Sequence, residues 1–309
     1  MRKLSANIMT FLQQGAEPHL DPLEESVTQF EELDASGNSV PIKRYRNLTY
    51  FRGEPRDAIR HKLDIYIPAQ NNPSTTHTNL PLIIFIHGGA WRIGSKDDLY
   101  GLYGRIARKF AANNIPFANI NYRLTPRVKH PGHIEDVANA LAWLHANAQH
   151  FNCSPNQFFM MGHSSGAQLA SLLTLDHHYL AQHNLNATSL INGVIALSGV
   201  FNPQSRTNLH TPTPDAKTSP VFTPQNIKNA SPINLIHPNS PPFLLIHETI
   251  GDEMIRETKQ FSEKLQQNKI NHQIISMAQT DHISMLTQLI REQELQTFNK
   301  IISFIKQNL

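Results

Sequence analysis

Short apolar runs alternate with amphipathic stretches along most of this chain. Runs at 61–67, 82–86, 116–122, 158–161, 193–197, 243–247 and 272–277 are rich in Ile, Val, Leu and Phe and bounded by polar or turn residues, the pattern of strands. Residues 45–51 add an expected antiparallel edge strand. Apolar positions at helical spacing predict helices over 98–112, 134–149, 166–175 and 253–267. A last stripe, Leu286, Leu289, Ile290, Phe298, Ile301, Ile302 and Ile305, predicts a final helix or a broken pair that packs on the sheet. Strand and helix thus alternate from about residue 60 to the C-terminus, which predicts an α/β fold: a mostly parallel sheet with helices on both faces.

Two stretches depart from this alternation. Leu4, Ile8, Phe11 and Leu12 share one face of a short helix expected to dock on the body of the protein. Nine of the 20 prolines lie between Pro203 and Pro242, so residues 200–240 read as an irregular insertion, either a lid or pocket wall or a plain surface loop. The polar loop 68–79 reads as a surface connection. The length of 309 residues allows one domain or two, and the unbroken alternation favours one, spanning 1–309, with 1–44 as an N-terminal helix and extension.

Composition narrows the partners. Charged residues make up 17% and hydrophobic ones 39%, without a run of 18 apolar residues, so a soluble protein with no membrane span is expected. A net charge of +3 without a dense Lys/Arg block argues against nucleic acid. Cys153 is the single cysteine, which excludes an intramolecular disulfide and suits a reducing compartment. With no export-type apolar segment near Met1, the expectation is cytoplasmic. His177, His178 and His183 lie outside any H-E-x-x-H spacing, so neither a metal nor another cofactor is expected.

The candidate chemistry centres on Gly162-His163-Ser164-Ser165-Gly166, which follows an apolar strand and opens a predicted helix. Such a turn lifts Ser164 above the end of a sheet, and the flanking glycines let neighbouring backbone pass close by. A serine hydroxyl is a weak nucleophile without a base, an orienting acid and donors for the developing oxyanion. His87-Gly88-Gly89-Ala90-Trp91 follows the strand 82–86, and the N–H groups of Gly88, Gly89 and Ser165 are the candidate oxyanion donors. Trp91 and His163 are candidate substrate contacts. His282, on the loop after the last predicted strand, is the candidate base, and Asp252, after the penultimate strand, is the candidate acid. Glu248 and Glu253 are rivals for the acid. Asp136 reads as structural, at the start of its helix.

These residues give the chain a resemblance to the α/β-hydrolase superfamily, in the carboxylesterase branch that includes hormone-sensitive-lipase-like esterases and kynurenine formamidases. The resemblance covers roughly residues 45–308. Beyond H-G-G-x-W and G-x-S-x-G, it is carried by Leu63-Asp64-Ile65-Tyr66-Ile67-Pro68, by Tyr122-Arg123-Leu124 with His130-Pro131, and by Ile134-Glu135-Asp136. It implies an eight-stranded sheet, cofactor-free acyl transfer and a Ser164-His282-Asp252 triad acting on a small ester or a formamide. His163 and Ser165 stand where many hormone-sensitive-lipase-like enzymes carry Asp and Ala, which resembles the formamidase and small-esterase side. Ala90 replaces a third glycine, and the acid loop is about one residue longer than the usual H-G-x-x-D. Three activities remain open: a carboxylic-ester hydrolase, an arylformamidase, and a non-catalytic binding protein on the same fold.

Overall fold

The computed structural model describes residues 27–69, 79–205, 220–291 and 295–309. The helix expected around Leu4 to Leu12 lies outside them, as do 70–78 of the polar loop and 206–219 of the insertion. The strands are β1 (Val27–Leu33), β2 (Ser39–Thr49), β3 (Lys62–Pro68), β4 (Leu80–Ile86), β5 (Phe117–Ile120), β6 (Cys153–His163), β7 (Ile191–Leu197), β8 (Phe243–Glu248) and β9 (His272–Met277). They form one sheet in the order β1-β2-β3-β5-β4-β6-β7-β8-β9. β1, β2 and β3 run antiparallel to their neighbours, and the pairings from β5 to β9 are parallel. This is the α/β-hydrolase arrangement, with nine described strands rather than eight. β1 is the addition: Val-Thr-Gln-Phe-Glu-Glu-Leu pairs on one side only and buries no side chain fully, so it lacks an apolar run. Its Phe30 lies under the guanidinium of Arg108, 4.7 Å from ring centroid to Cζ.

The central strands are apolar because both of their faces are covered. In β4 every residue from Pro81 to Ile86 is buried between β5 and β6. One face packs on α1 (Asp98–Ala112) through Ile106 and Phe110, and on the C-terminal helix Gln296–Gln307 through Phe298 and Ile301. The other face packs on α2 (Gly132–Asn147) through Val137 and Leu141, on α3 (Ser165–Leu175) through Leu169 and Leu172, and on α4 (Glu253–Gln267) through Phe261. The final apolar stripe is a broken pair, Ser284–Gln288 and Gln296–Gln307. The described part of the insertion carries turns and short 3-10 segments.

Asp136 is structural, although not through free helix N–H groups. Its carboxylate, fully buried, binds the Arg123 guanidinium, the Arg123 N–H (2.7 Å) and His61 Nε2 (3.2 Å). Burial alone would raise its pKa, but His61 and Arg123 hold it below the ordinary value. The pair ties β3, the segment after β5 and α2 together. The parallel strands all end at one edge of the sheet, where a fold of this kind presents its loops to a ligand.

Candidate active site

Ser164 separates β6 from α3 with φ 56° and ψ −119°, a conformation that costs about 1–3 kcal/mol and persists only when its surroundings enforce it. Its N–H donates to Leu197 O (2.9 Å), and its carbonyl accepts from Ala167 (3.1 Å) and Gln168 (3.2 Å). A Cβ on Gly166 would lie 2.1 Å from Ile86 O, and one on Gly162 would lie 2.3 Å from Gly166 O. The close approach expected of both glycines is therefore literal. Ser164 is half-buried while its neighbours on both sides are buried.

The loop after β4 runs beside this turn, since a Cβ on Gly88 would lie 3.3 Å from Ser164 Cβ. Gly89 (φ 118°), Ala90 (52°) and Trp91 (60°) all sit in the left-handed region. The Gly89 carbonyl closes the turn by accepting from Arg92 and Ile93, each at 3.0 Å. His87 braces it from below: its Nδ1–H donates to Gly88 O (2.7 Å) and its ring stacks on Tyr122 at 4.5 Å, whose hydroxyl donates to His87 O. Complete burial lowers the His87 pKa to about 4, so it stays neutral.

The Gly88 N–H lies toward the buried Tyr103 hydroxyl, whose pKa burial pushes up to about 12 against the opposing effect of that N–H. Among the described residues the N–H groups of Gly89, Ala90 and Ser165 meet no protein acceptor, so Ala90 joins the candidate donors.

Trp91, a candidate substrate contact, is committed to the core. It is 1% exposed, donates through Nε1 to Gln168 Oε1 (3.0 Å) and meets Phe222 edge-on at 5.1 Å. Gln168, on α3, in turn donates to Ala230 O (2.7 Å), which fastens the insertion to the same helix. His163 is likewise buried: its Nε2–H donates to His282 O (2.8 Å), and burial first, then His282, lower its pKa to about 3. It supports the His282 loop from beneath and does not line an open pocket.

His282, on the loop after β9, is about one third exposed and faces Glu248, not Asp252. Its Nδ1 lies 2.6 Å from Ser198 Oγ, which lies 2.9 Å from Glu248 Oε1; the direct His282–Glu248 separation is 3.5 Å. One proton order satisfies all three groups: Nδ1–H donates to Ser198, and the Ser198 hydroxyl donates to the carboxylate. That order leaves Nε2 as the free acceptor. Glu248 is 3% exposed, and although burial would raise its pKa, the bonds to His282 and Ser198 draw it below the ordinary value. Ser198 itself sits at φ 47°, with its N–H on Ile246 O (2.7 Å).

Asp252 is exposed at the start of α4, where its side chain makes no capping bond, because Gly251 at φ 123° turns the chain outward after β8. Glu253 is exposed in the first turn of the same helix. The carboxylate that faces His282 thus stands at the last residue of β8, opposite Met277 of β9, ahead of the loop where sequence spacing places it. Ser198 was missed altogether. Its only sequence signal is its place directly after the apolar run of β7. Among the described residues no group of three or more His, Cys, Asp or Glu is placed to hold a metal, and no helix is long and apolar enough to cross a membrane.

Known proteins share this architecture and parts of the sequence. Esterase LipC of Mycobacterium tuberculosis is 29% identical over 202 residues, 60% of this chain and 48% of LipC. A kynurenine formamidase of Meyerozyma guilliermondii is 43% identical over 90 residues, 28% of this chain and 31% of that protein. The chain thus spans about half or less of the length of these relatives. A crystal structure of inhibited esterase B from Lactobacillus rhamnosis superposes with a TM-score of 0.67 at 16% identity, covering 98% of this chain and 94% of that one. The BD-FAE family model matches residues 63–268, from β3 through α4, and the chain belongs to the BD-FAE family.

Proposed function

We propose that the chain is a serine hydrolase of small to medium carboxylic esters, working through Ser164, His282 and Glu248 with Ser198 between the last two. The observation that carries this reading is the Glu248–Ser198–His282 chain, which fixes one imidazole tautomer at the sheet edge where the strained Ser164 turn stands. Ser164 Oγ attacks the ester carbonyl and gives its proton to His282 Nε2. The Nδ1–H stays on the imidazolium, held by Ser198 and balanced by the ionised Glu248. The oxyanion rests on the N–H groups of Gly89, Ala90 and Ser165, which need no reorganisation because both turns are locked. His282 then protonates the leaving alcohol, and a water deprotonated by His282 releases the acyl group. None of these steps draws on a metal or a cofactor.

The names of the relatives support ester cleavage, LipC and esterase B being esterases. The 43% identical stretch shared with a kynurenine formamidase favours a second reading, cleavage of an N-formyl aromatic amide by the same groups. A panel of esters and aryl formamides, run on the wild type and on Ser164→Ala, tests both. Ester turnover that vanishes in the variant is expected; a formamide preference of about 100-fold would transfer the assignment to the second reading, a difference of roughly 2.7 kcal/mol in the barrier. Residual turnover in Ser164→Ala would remove the nucleophile. Failure of a fluorophosphonate to label Ser164 would instead favour a binding protein.

A further inference from the structure

A second feature borders the loop after β4. Ile59, Arg60, Arg92, Leu124, Thr125, Pro126 and Arg127 line a cleft of about 290 Å³. Both of its walls are fastened to the candidate oxyanion loop. The Arg92 N–H closes the turn on Gly89 O, the Thr125 N–H donates to Trp91 O (2.9 Å), and Arg60 donates to Gly94 O (2.6 Å). Three arginines therefore line one small space. Among the described residues the one carboxylate paired with any of their guanidinium groups is Asp57, which binds Arg127 at 3.1 Å and whose other oxygen is taken by the backbone N–H groups of Ile59 and Arg60. Arg92 is half-buried and, among the described residues, has no carboxylate or carbonyl partner for its side chain. Ile59, Leu124 and Pro126 give the cleft an apolar wall.

A half-buried guanidinium without a partner gives up hydration without recovering it, so the site gains when an anion enters. The planar fork of arginine matches a carboxylate with two parallel hydrogen bonds, and the apolar wall suits a short hydrocarbon spacer. We propose that this cleft is a specificity subsite for a substrate that carries a carboxylate away from its scissile bond, with Arg92 as the principal contact and Arg60 and Arg127 contributing field. The inference rests on the serine-hydrolase reading and supplies the substrate class.

The test compares kcat/KM for two matched pairs, ethyl hexanoate against monoethyl adipate and phenyl butyrate against 4-carboxyphenyl butyrate. These place the anion in the acyl half or in the leaving group. At least one anionic ester should exceed its neutral partner by about tenfold, the worth of one charge-assisted hydrogen bond pair. That ratio should collapse in Arg92→Gln, shrink in the more exposed Arg127→Gln, and fall as salt rises from about 0.05 to about 0.5 M. Turnover of the neutral esters with no anionic preference, or a preference that survives both substitutions, overturns the inference and leaves the esterase reading standing. Absence of turnover on every ester counts against the esterase reading instead. Calorimetric titration of 4-carboxyphenyl butyrate and phenyl butyrate into Ser164→Ala then still decides the cleft. About tenfold tighter binding of the anionic ester, lost with Arg92→Gln added, supports it, and equal binding overturns it.

Discussion

Replacing Glu248 with Gln keeps the shape of the β8 terminus and removes the one buried charge that faces His282. The charge lies 3.5 Å from Nδ1, and the imidazole is about one third exposed, so solvent screens part of the interaction. Taking the effective dielectric between about 20 and about 40, the attraction for the imidazolium formed during acyl transfer is roughly 4.7 to 2.4 kcal/mol, or about 3,000- to 50-fold in kcat. The Gln amide also presents a donor where Ser198 needs an acceptor. If Ser198 then donates to Nδ1 instead, the proton moves to Nε2 and the base is lost, which pushes the result toward the severe end. The companion variant Asp252→Asn alters an exposed carboxylate that does not face His282, and its kcat should stay within about twofold of wild type. Steady-state hydrolysis of 4-nitrophenyl butyrate by both variants, with thermal melts to show that each is folded, gives the comparison. Near-normal activity in Glu248→Gln with a collapse in Asp252→Asn would refute the assignment of the acid and return it to the loop after β8.

Ser198→Ala breaks the hydroxyl bridge and leaves Glu248 3.5 Å from His282, so kcat should fall roughly 10- to 100-fold with KM little moved. An equal fall in Glu248→Gln and in the double variant would show that the two act as one unit. Trp91→Phe removes the donor to Gln168 Oε1 inside the core and should cost about 1–3 kcal/mol in urea unfolding, more than the change of ring size alone. Acid should weaken the fold before the carboxylates titrate. His87 and His130 are held near about 4, and His133 and His163 near about 3, against 6.5 for a free imidazole, in each case first by burial. The unfolded chain takes up protons below 6.5 that the folded chain refuses. Stability is therefore complete above that value and declines as pH falls toward 4, by about 1.4 kcal/mol per pH unit for each fully refused proton. Urea midpoints that stay level between about pH 7 and about pH 5 would show these rings to be less sequestered than the structure has them.

The parts of the fold most legible in the sequence are those buried on both faces. β4 and β8 stand out because no polar residue interrupts Leu82 to Ile86 or Phe243 to Ile246; β9, an edge strand with only Ile275 and Met277 buried, is legible instead because turns bound it. β1 was illegible for the opposite reason: an edge strand packed through Phe30 alone needs little apolar sequence. At the site, Ser164 was visible because its glycines answer a local steric demand, and His282 because chain order places it. Asp252 does not face His282, whereas Glu248, one of its rivals, does, because spacing along a loop does not report how far a strand runs before it ends; β8 extends to Glu248, and that carboxylate belongs to the strand. Ser198 lies on a third loop, and its role exists only once β7 is laid beside β8. Trp91 suggested a pocket by its type and neighbours, whereas its indole is committed to a helix 77 positions away in the sequence.

Gln168 has a consequence for anyone wishing to exchange parts between members of this family. With one amide it holds Trp91 of the loop after β4 and Ala230 of the proline-rich insertion, while Phe222 of that insertion lies against the same indole. Transplanting the insertion alone would replace two contacts, Ala230 O on the Gln168 amide and Phe222 on the Trp91 indole, and leave the bond between Trp91 and Gln168 unchanged. Residues 91, 168, 222 and 230 form an indivisible cassette, and a chimaera keeps the loop after β4 in shape only when all four travel together.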